Sequence, residues 1–257
     1  MSQALTGVVF AAAVSLAALR AGAFRSSGAV AAWIVGACVF AAGGWPFAAV
    51  LLAFFLPAAL LSRMGRARKR DLADIEKPGA RDAMQVAANG GVAAFCALMA
   101  VNTHSHAMTA AFAGAFCAAS ADTWGTEIGT LFKGLPRSLL TMRPVAAGLS
   151  GGVTLPGTGA ELAGAFVVAL VAAALGVAPL WACAAGGVAG AFADSFLGAT
   201  LQELRYCPRC ARACETNPHH CGTPTVRRRG FPWMSNDVVN ACATAVGALV
   251  AGALAAA

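Results

Sequence analysis

The chain has 257 residues, of which 59% are hydrophobic and 11% charged, whereas soluble domains devote about a quarter of theirs to Asp, Glu, Lys and Arg. Eighteen Lys and Arg with 11 Asp and Glu cannot clothe a water-exposed surface of that size, which excludes a soluble globule and turns most of the surface toward lipid. The net charge of +7 is no argument for a nucleic-acid partner, because aromatics are sparse and the basic residues sit in short blocks between apolar runs, as membrane topology requires.

In chain order, apolar runs of spanning length, about 20 residues with allowance for tilt, cover 4–20, 28–44, 46–62, 83–101, 107–121, 145–176, 179–201 and 236–256. The expectation is an all-α, polytopic membrane helix bundle of about eight transmembrane helices, forming a single membrane domain over 1–257. The N-terminus MSQALTGVVF lacks the basic stretch of a signal peptide, so the first run is expected to stay. Ala and Gly dominate the runs, and pairs such as Gly148/Gly152 and Gly186/Gly190 suit closely approaching membrane helices. The run 145–176 is longer than a span needs and Gly-rich in its first half, as a broken or re-entrant start would be.

All 18 basic residues fall in alternate connections: Arg20 and Arg25; Arg63, Arg66, Arg68, Lys69, Arg70, Lys77 and Arg81; Lys133, Arg137 and Arg143; Arg205, Arg209, Arg212, Arg227, Arg228 and Arg229. The connections between them, around 43–45, 102–106 and 176–179, carry none. The excess of Lys and Arg on the inner side of membranes then puts the basic loops in the cytoplasm and both termini outside, in a prokaryotic plasma membrane.

Ionisable groups at membrane depth cost about 2.5 to 3.5 kcal/mol each, so those that remain mark function by default. In Ala121-Asp122-Thr123-Trp124-Gly125-Thr126-Glu127, at the end of the fifth run, Thr123 and Glu127 are helical neighbours with Asp122 beside them. In the seventh run Asp194, Gly198 and Gln202 fall on one stripe, next to Ser195. A few hard oxygen ligands of this kind, supplemented by phosphate, hold Mg²⁺; the bland reading of Asp122 and Asp194 is a structural polar pair. Between them, Gly148-Leu-Ser-Gly151-Gly152-Val-Thr154-Leu-Pro-Gly157-Thr158-Gly159 interleaves glycines and hydroxyls, which suits either backbone N–H contacts to phosphate or close helix packing. It lacks the Gly-Lys-Ser/Thr of a P-loop. Two further polar islands open spans: Arg81-Asp82 with Gln85 and Asn89, and Ser235-Asn236-Asp237 with Asn240. Asp237 could equally be a first-turn acid behind a Ser235 cap. His104 and His106 read as solvated residues of an outer loop.

Cys38, Cys96, Cys117, Cys183 and Cys242 lie in apolar runs and read as small core residues. The other four share one loop, residues 203–235, with the spacing Cys207-Pro-Arg-Cys210, Cys214 and His219-His220-Cys221. Disulfides compete with a zinc-ribbon-like site. A cytoplasmic loop keeps its thiols reduced, which favours structural Zn²⁺ held by Cys207, Cys210, His219 and Cys221, with Cys214 and His220 as substitutes.

The blocks RDAMQVAANGGVAA, SADTWGTEIG, GLSGGVTLPGT, GAFADSFLGATLQ and WMSNDVVN, in this order, resemble a widespread integral-membrane family first catalogued as a domain of unknown function, which includes animal transmembrane protein 19 and the plant plastid phytyl-phosphate kinase. The resemblance runs from about residue 81 to the C-terminus. Its members often carry C-x₂-C and a later His-x-Cys after the fourth block, matching Cys207, Cys210, His219 and Cys221; Cys214 is extra. The resemblance implies a membrane kinase that moves a phosphoryl group from a nucleoside triphosphate such as CTP to an isoprenoid phosphate with Mg²⁺. On that reading Asp122, Glu127 and Asp194 hold Mg²⁺, and Lys133, Arg143 and the backbone of Gly151 to Gly159 face phosphates, with Gly152, Thr154, Gly157 and Thr158 in that stretch. Asn89, Ser195, Gln202, Asn236, Asp237 and Asn240 complete the candidate substrate site. The rival is an ion-coupled transporter or channel using Asp194 and Glu161. A third reading is a scaffold whose zinc loop docks a cytosolic partner.

Overall fold

The computed structural model describes residues 2–64, 79–132 and 134–257. Along them run α1 (Gln3–Arg20), α2 (Ser26–Leu61), α3 (Ala83–Thr103), α4 (His106–Gly129), β1 (Arg137–Ser138), β2 (Gly152–Val153), α5 (Leu155–Ala174), α6 (Leu180–Thr200), β3 (Leu204–Cys207), β4 (Arg212–Cys214), β5 (Val226–Arg229) and α7 (Asn236–Ala256). The protein is a membrane helix bundle, as its composition requires. The eight expected spans correspond to seven helices, because α2 carries two of them, 26–43 and 45–61, on either side of a non-helical Gly44 at φ 61° and ψ −143°.

Gly44 is a reversal. A straight helix of 36 residues would separate its ends by about 54 Å, yet Arg63 just beyond α2 donates to the Ala21 carbonyl just before it, at 3.0 Å. At the far end Gln3 Nε2 donates to the carbonyls of Phe40 (3.3 Å) and Ala41 (3.1 Å), which sets Gly44 beside the start of α1. Only a residue without Cβ takes this φ without strain, and Pro46 follows immediately.

Among the described residues six helices, α1, α2, α3, α5, α6 and α7, are long and apolar enough to cross a membrane. α4 has the length, 24 residues, but not the composition. The reason is its position: α4 touches α2, α3, α5, α6 and α7, and Ala110 through Ala121 are buried without a break. A helix wrapped by protein need not be apolar toward lipid, so the polar motif that was expected to end this span at 121 instead continues the helix to Gly129. The run expected to begin at 145 is also shorter: 145–154 is loop and strand, and α5 starts at Leu155 behind Thr154, whose Oγ1 accepts from the Gly157 N–H at 3.0 Å. Gly148/Gly152 is therefore no helix-packing pair.

Gly186/Gly190 is one. A Cβ on Gly190 would stand 2.3 Å from the Ala118 Cβ, and one on Gly186 2.5 Å from the Gly247 carbonyl oxygen. α4, α6 and α7 meet backbone to backbone there. Gly247→Leu should lower stability by about 1 to 3 kcal/mol, because a Cβ there already falls 2.7 Å from Ala118 Cβ and 2.8 Å from the Gly114 carbonyl. Gly91→Ala on α3, with nothing within 4 Å, should be neutral or stabilising by up to about 1 kcal/mol. Thermal unfolding of the detergent-solubilised variants reads both.

The loop of residues 203–235 forms an antiparallel sheet in the order β4-β3-β5. It is anchored on the end of α6. The Arg229 guanidinium donates to the Gly198 carbonyl at 2.9 Å and also to that of Ala199, and the Phe231 N–H donates to the Leu201 carbonyl at 3.0 Å, so carbonyls that end the helix find donors in the loop.

Candidate active site and metal-binding loop

Asp122, on α4, is the hub of an acidic cluster. Its carboxyl hydrogen-bonds that of Asp194 on α6 and lies within electrostatic reach of Glu127 one turn away and of the Arg81 guanidinium at the start of α3. Glu161 on α5 also interacts with it. Glu161 reaches Asp122 because Gly125 leaves the space: a Cβ there would stand 2.5 Å from Glu161 Cγ and 2.7 Å from Oε1. The Asn240 amide, on α7, donates to Asp194 Oδ1 at 3.1 Å and to the Asn236 carbonyl at 3.2 Å. Groups from α4, α5, α6 and α7 thus converge on one point, with Arg81 beside it.

Two carboxyls joined by a hydrogen bond share a proton, and Glu127 and Glu161, each within electrostatic reach of Asp122, add negative charge beside them. A divalent cation would replace that proton, and carboxylate oxygens are the donors a hard metal ion takes; the close cluster of metal-ligating groups among the described residues is that of Cys207, Cys210, His219 and Cys221.

Arg81 is held by its backbone. Its N–H donates to the Ala23 carbonyl at 3.0 Å and its carbonyl accepts from the Arg25 N–H at 2.9 Å, a contact possible because a Cβ at Gly28 would stand 2.1 Å from that carbonyl oxygen. Asp82 and Gln85 form the capping box of α3, so that part of the island does the work of starting a helix. Asn89 Nδ2 donates to the Gln85 carbonyl at 2.9 Å. Asp237 is a buried first-turn residue of α7, whose cap is Ser235.

The Gly-rich stretch lies elsewhere than a continuous helix would put it. Gly151, at φ 77°, sits against the end of α6, where a Cβ would be 2.4 Å from the Ala199 nitrogen. Gly152 pairs with Ser138 in the β1–β2 ribbon, while Gly157 abuts Gly129 of α4 at the start of α5. Thr158 is exposed in the first turn of α5. Gln202 leaves the Asp194 stripe, since α6 ends at Thr200. Its Nε2 donates to Ser150 Oγ at 2.7 Å and to Glu215 Oε2 at 2.8 Å, and Ser150 donates to Glu215 through N–H (2.9 Å) and Oγ (3.1 Å). Ser150 and Glu215, which tie the Gly-rich loop to the Cys loop, escaped the sequence reading: they are 65 residues apart and share no motif. Ser195 is half-buried on α6, one residue past Asp194, and Arg143 is exposed between β1 and β2. Lys133 lies outside the described residues, as do Arg66, Arg68, Lys69, Arg70 and Lys77 of the basic loop.

Cys207, Cys210, His219 and Cys221 bring their ligand atoms within 4.8 Å of one another. Cys207 and Cys221 Sγ are 3.7 Å apart, and His219 Nδ1 is 3.2 Å from Cys221 Sγ. The sulfur spacing is that of two corners of a tetrahedron with metal–sulfur bonds of about 2.3 Å. The neighbouring Thr223 hydroxyl and His219 ring hold the Cys221 thiol down at about 5, a thiolate at neutral pH, while contact with Cys221 and Cys207 pushes Cys210 up to about 11. Crowding that keeps one thiol protonated is what a central cation relieves. The four residues can hold a metal ion. Cys214, buried with its Sγ 3.8 Å from the Thr216 carbonyl, and His220, whose ring is tilted 41° to that of His219 with 4.1 Å between centroids, stand outside the cluster.

Residues 9–248 match the family model described as Integral membrane protein DUF92. The chain is 32% identical over 212 residues to Protein PGR of Arabidopsis thaliana, covering 70% of this chain and 73% of that protein. It is 31% identical over 179 residues to the uncharacterized membrane protein MJ0933 of Methanocaldococcus jannaschii, covering 69% of this chain and 74% of that one. Protein VTE6, chloroplastic, of Arabidopsis thaliana is 27% identical over 235 residues, 88% of this chain and 63% of the plant protein. No solved structure matches. The family match extends over α1 and α2, beyond the stretch in which the sequence motifs lie.

Proposed function

Because the chain belongs to the family of Integral membrane protein DUF92, we propose that it is a membrane-embedded kinase that transfers a phosphoryl group from a nucleoside triphosphate, CTP in the first place, to an isoprenoid monophosphate. The observation that carries this reading is the convergence of Asp122, Asp194 and Glu161 from three helices, with Glu127, Asn240 and Arg81 around them. The resemblance to a family with a phytyl-phosphate kinase member supports the reaction class.

In the reaction, an oxygen of the isoprenoid monophosphate attacks the γ-phosphorus of the triphosphate. The bond from that phosphorus to the β–γ bridging oxygen breaks, its electron pair leaves with the nucleoside diphosphate, and an isoprenoid diphosphate is formed. Mg²⁺, when bound, neutralises phosphate charge. Asp122, Asp194 and Glu127 would hold it, with Glu161 beside them, and Asn240 fixes the orientation of the Asp194 carboxyl. Arg81, Arg143 and Lys133 supply cations for phosphate oxygens, and the Gly151 to Gly159 backbone supplies N–H groups. Asn89, Ser195, Asn236 and Asp237 line the substrate side. Cys207, Cys210, His219 and Cys221 would hold Zn²⁺ in a structural role, since four protein ligands would close its shell. The sheet of residues 203–235 is cytoplasmic and both termini lie outside.

The test is purified protein with γ-labelled CTP or ATP and a panel of prenols and prenyl monophosphates. Label should enter a prenyl diphosphate only with Mg²⁺ present. Ion or solute movement that depends on Asp194 and consumes no nucleotide with any acceptor would replace the kinase with a transporter. Orientation is read separately: alkaline phosphatase fused after Ala257 should be active in a bacterial host.

A further inference from the structure

A cavity of about 820 Å³, its open mouth included, lies between α1, α2, α3 and α4. Its walls are apolar over most of their length, with Phe10, Phe24, Phe40, Phe54, Phe55 and Phe116 among them. Its polar groups are Arg81, Gln85, Asn89 and Thr123, with Ser15 on α1. Gln85 and Asn89 lie one turn apart on one face of the start of α3, and Arg81 stands just before that helix's cap, Asp82. Thr123 is the residue next to Asp122. Phe40 lies toward the other end of the bundle, four residues before the Gly44 reversal. The cavity therefore runs lengthwise: its polar groups gather near the acidic cluster, where Phe24 and Phe55 also stack, and Phe10 and Phe40 line its other end.

We propose that this cavity holds the isoprenoid chain of the substrate, with the phosphate head at Arg81, Gln85 and Asn89 and the chain end toward Phe10 and Phe40; this rests on the kinase reading. Charge complementarity selects an anionic amphiphile. The Arg81 guanidinium is fixed at the mouth, with its Nη2 donating to Ser62 Oγ at 3.4 Å and its backbone clamped as described, and a fixed cation over an apolar channel favours an anion with a tail over a neutral lipid. Asn89 Oδ1 is buried and has no hydrogen-bond partner among the described residues, so it awaits a donor such as a protonated phosphate oxygen. Gln85 Oε1 is engaged by the Asp82 N–H at 3.1 Å, which leaves its NH₂ group to donate. Over its apolar length such a channel favours hydrocarbon over water.

The experiment uses the full chain in nanodiscs and measures binding without nucleotide or Mg²⁺. Probes are geranyl monophosphate, geranylgeranyl monophosphate, geranylgeraniol and inorganic phosphate. Geranylgeranyl monophosphate should bind best, and Arg81→Gln should weaken both monophosphates about tenfold or more. Ala32→Phe and Val86→Phe, each filling the channel, should weaken geranylgeranyl monophosphate about tenfold or more and spare geranyl monophosphate, whose retained binding shows the variant folded. Independently of any variant, a geranylgeranyl monophosphate with a terminal diazirine should label peptides carrying Phe10 and Phe40. Labels confined to the lipid-facing sides of α5 and α6, equal binding of geranylgeraniol, or a co-purifying phospholipid that none of the prenyl probes displaces, would overturn the assignment. The two ideas fail separately: chain-length-dependent binding without transfer sinks the kinase alone, and transfer that Ala32→Phe and Val86→Phe leave indifferent to chain length sinks the cavity alone.

Discussion

Asp122→Asn and Asp194→Asn proteins are expected to insert and fold normally, yet to transfer phosphoryl groups about a thousandfold more slowly than the wild type, which corresponds to about 4 kcal/mol of transition-state stabilisation. The fold should survive because the two side chains meet in a hydrogen bond, and an amide at either position can donate to the carboxylate that remains. Charge is what the substitution removes. With one anion fewer, the cluster holds a divalent ion less tightly, and charge building on the transferring phosphoryl group is left uncompensated. The double variant should be little slower than either single one, since groups acting as one unit are not additive. Rates of label transfer beside thermal unfolding of the same samples provide the check. A rate within about tenfold of wild type would take these carboxylates out of the reaction.

Glu161 separates the two classes of function. From the sequence it belonged to the transporter reading, as an acid in a Gly-interrupted span. In the structure it lies over Gly125 within reach of Asp122. In a kinase, Glu161→Gln should raise the Mg²⁺ concentration needed for half-maximal activity while leaving the rate at saturating Mg²⁺ much closer to wild type than Asp122→Asn does. In an ion-coupled transporter the same change should abolish transport along with its pH dependence.

What the sequence revealed and what it hid follow from the physics of a bundle in lipid. Spanning length and charge-free runs are local quantities, so the spans on either side of Gly44 were legible as two, although α2 is continuous but for that residue. The segment around Asp122 stood out because carboxylates at membrane depth are rare. The extent of α4 did not, for a helix surrounded by protein gives no hydropathy contrast at its polar end. Nor did the partnership of Glu161 with Asp122, since helices apolar on nearly every face carry little information about which side meets which neighbour. Gly125 and Gly157, which bring α4 and α5 together, read only as members of an abundant residue type. Ser150, Gln202 and Glu215 met through loop folding, which no helical stripe encodes. The grouping of Cys207, Cys210, His219 and Cys221 was legible in their spacing, and the burial of Cys214 away from it was not.

Cys207→Ser/Cys210→Ser protein is expected to lose its zinc and, with it, the folded loop. The sheet β4-β3-β5 has strands of only three or four residues, too few to bury a core of their own, and a closed structural site contributes on the order of 10 kcal/mol to the folding of such modules. The loss should reach beyond the loop. Glu215 follows β4 directly and holds Ser150 by two hydrogen bonds, so a molten loop releases the Gly-rich stretch that is proposed to face phosphate. Activity should therefore fall with zinc content, although no zinc ligand touches the substrate. Cys214→Ser is the control: its sulfur stands outside the cluster, and the variant should keep one zinc per chain. Elemental analysis of the three proteins, with activity measured on the same preparations, checks the argument. Unchanged zinc in the double variant, or a Cys207–Cys221 disulfide in native membranes, would refute it, and zinc loss with full activity would cut the proposed link between the loop and the Gly-rich stretch.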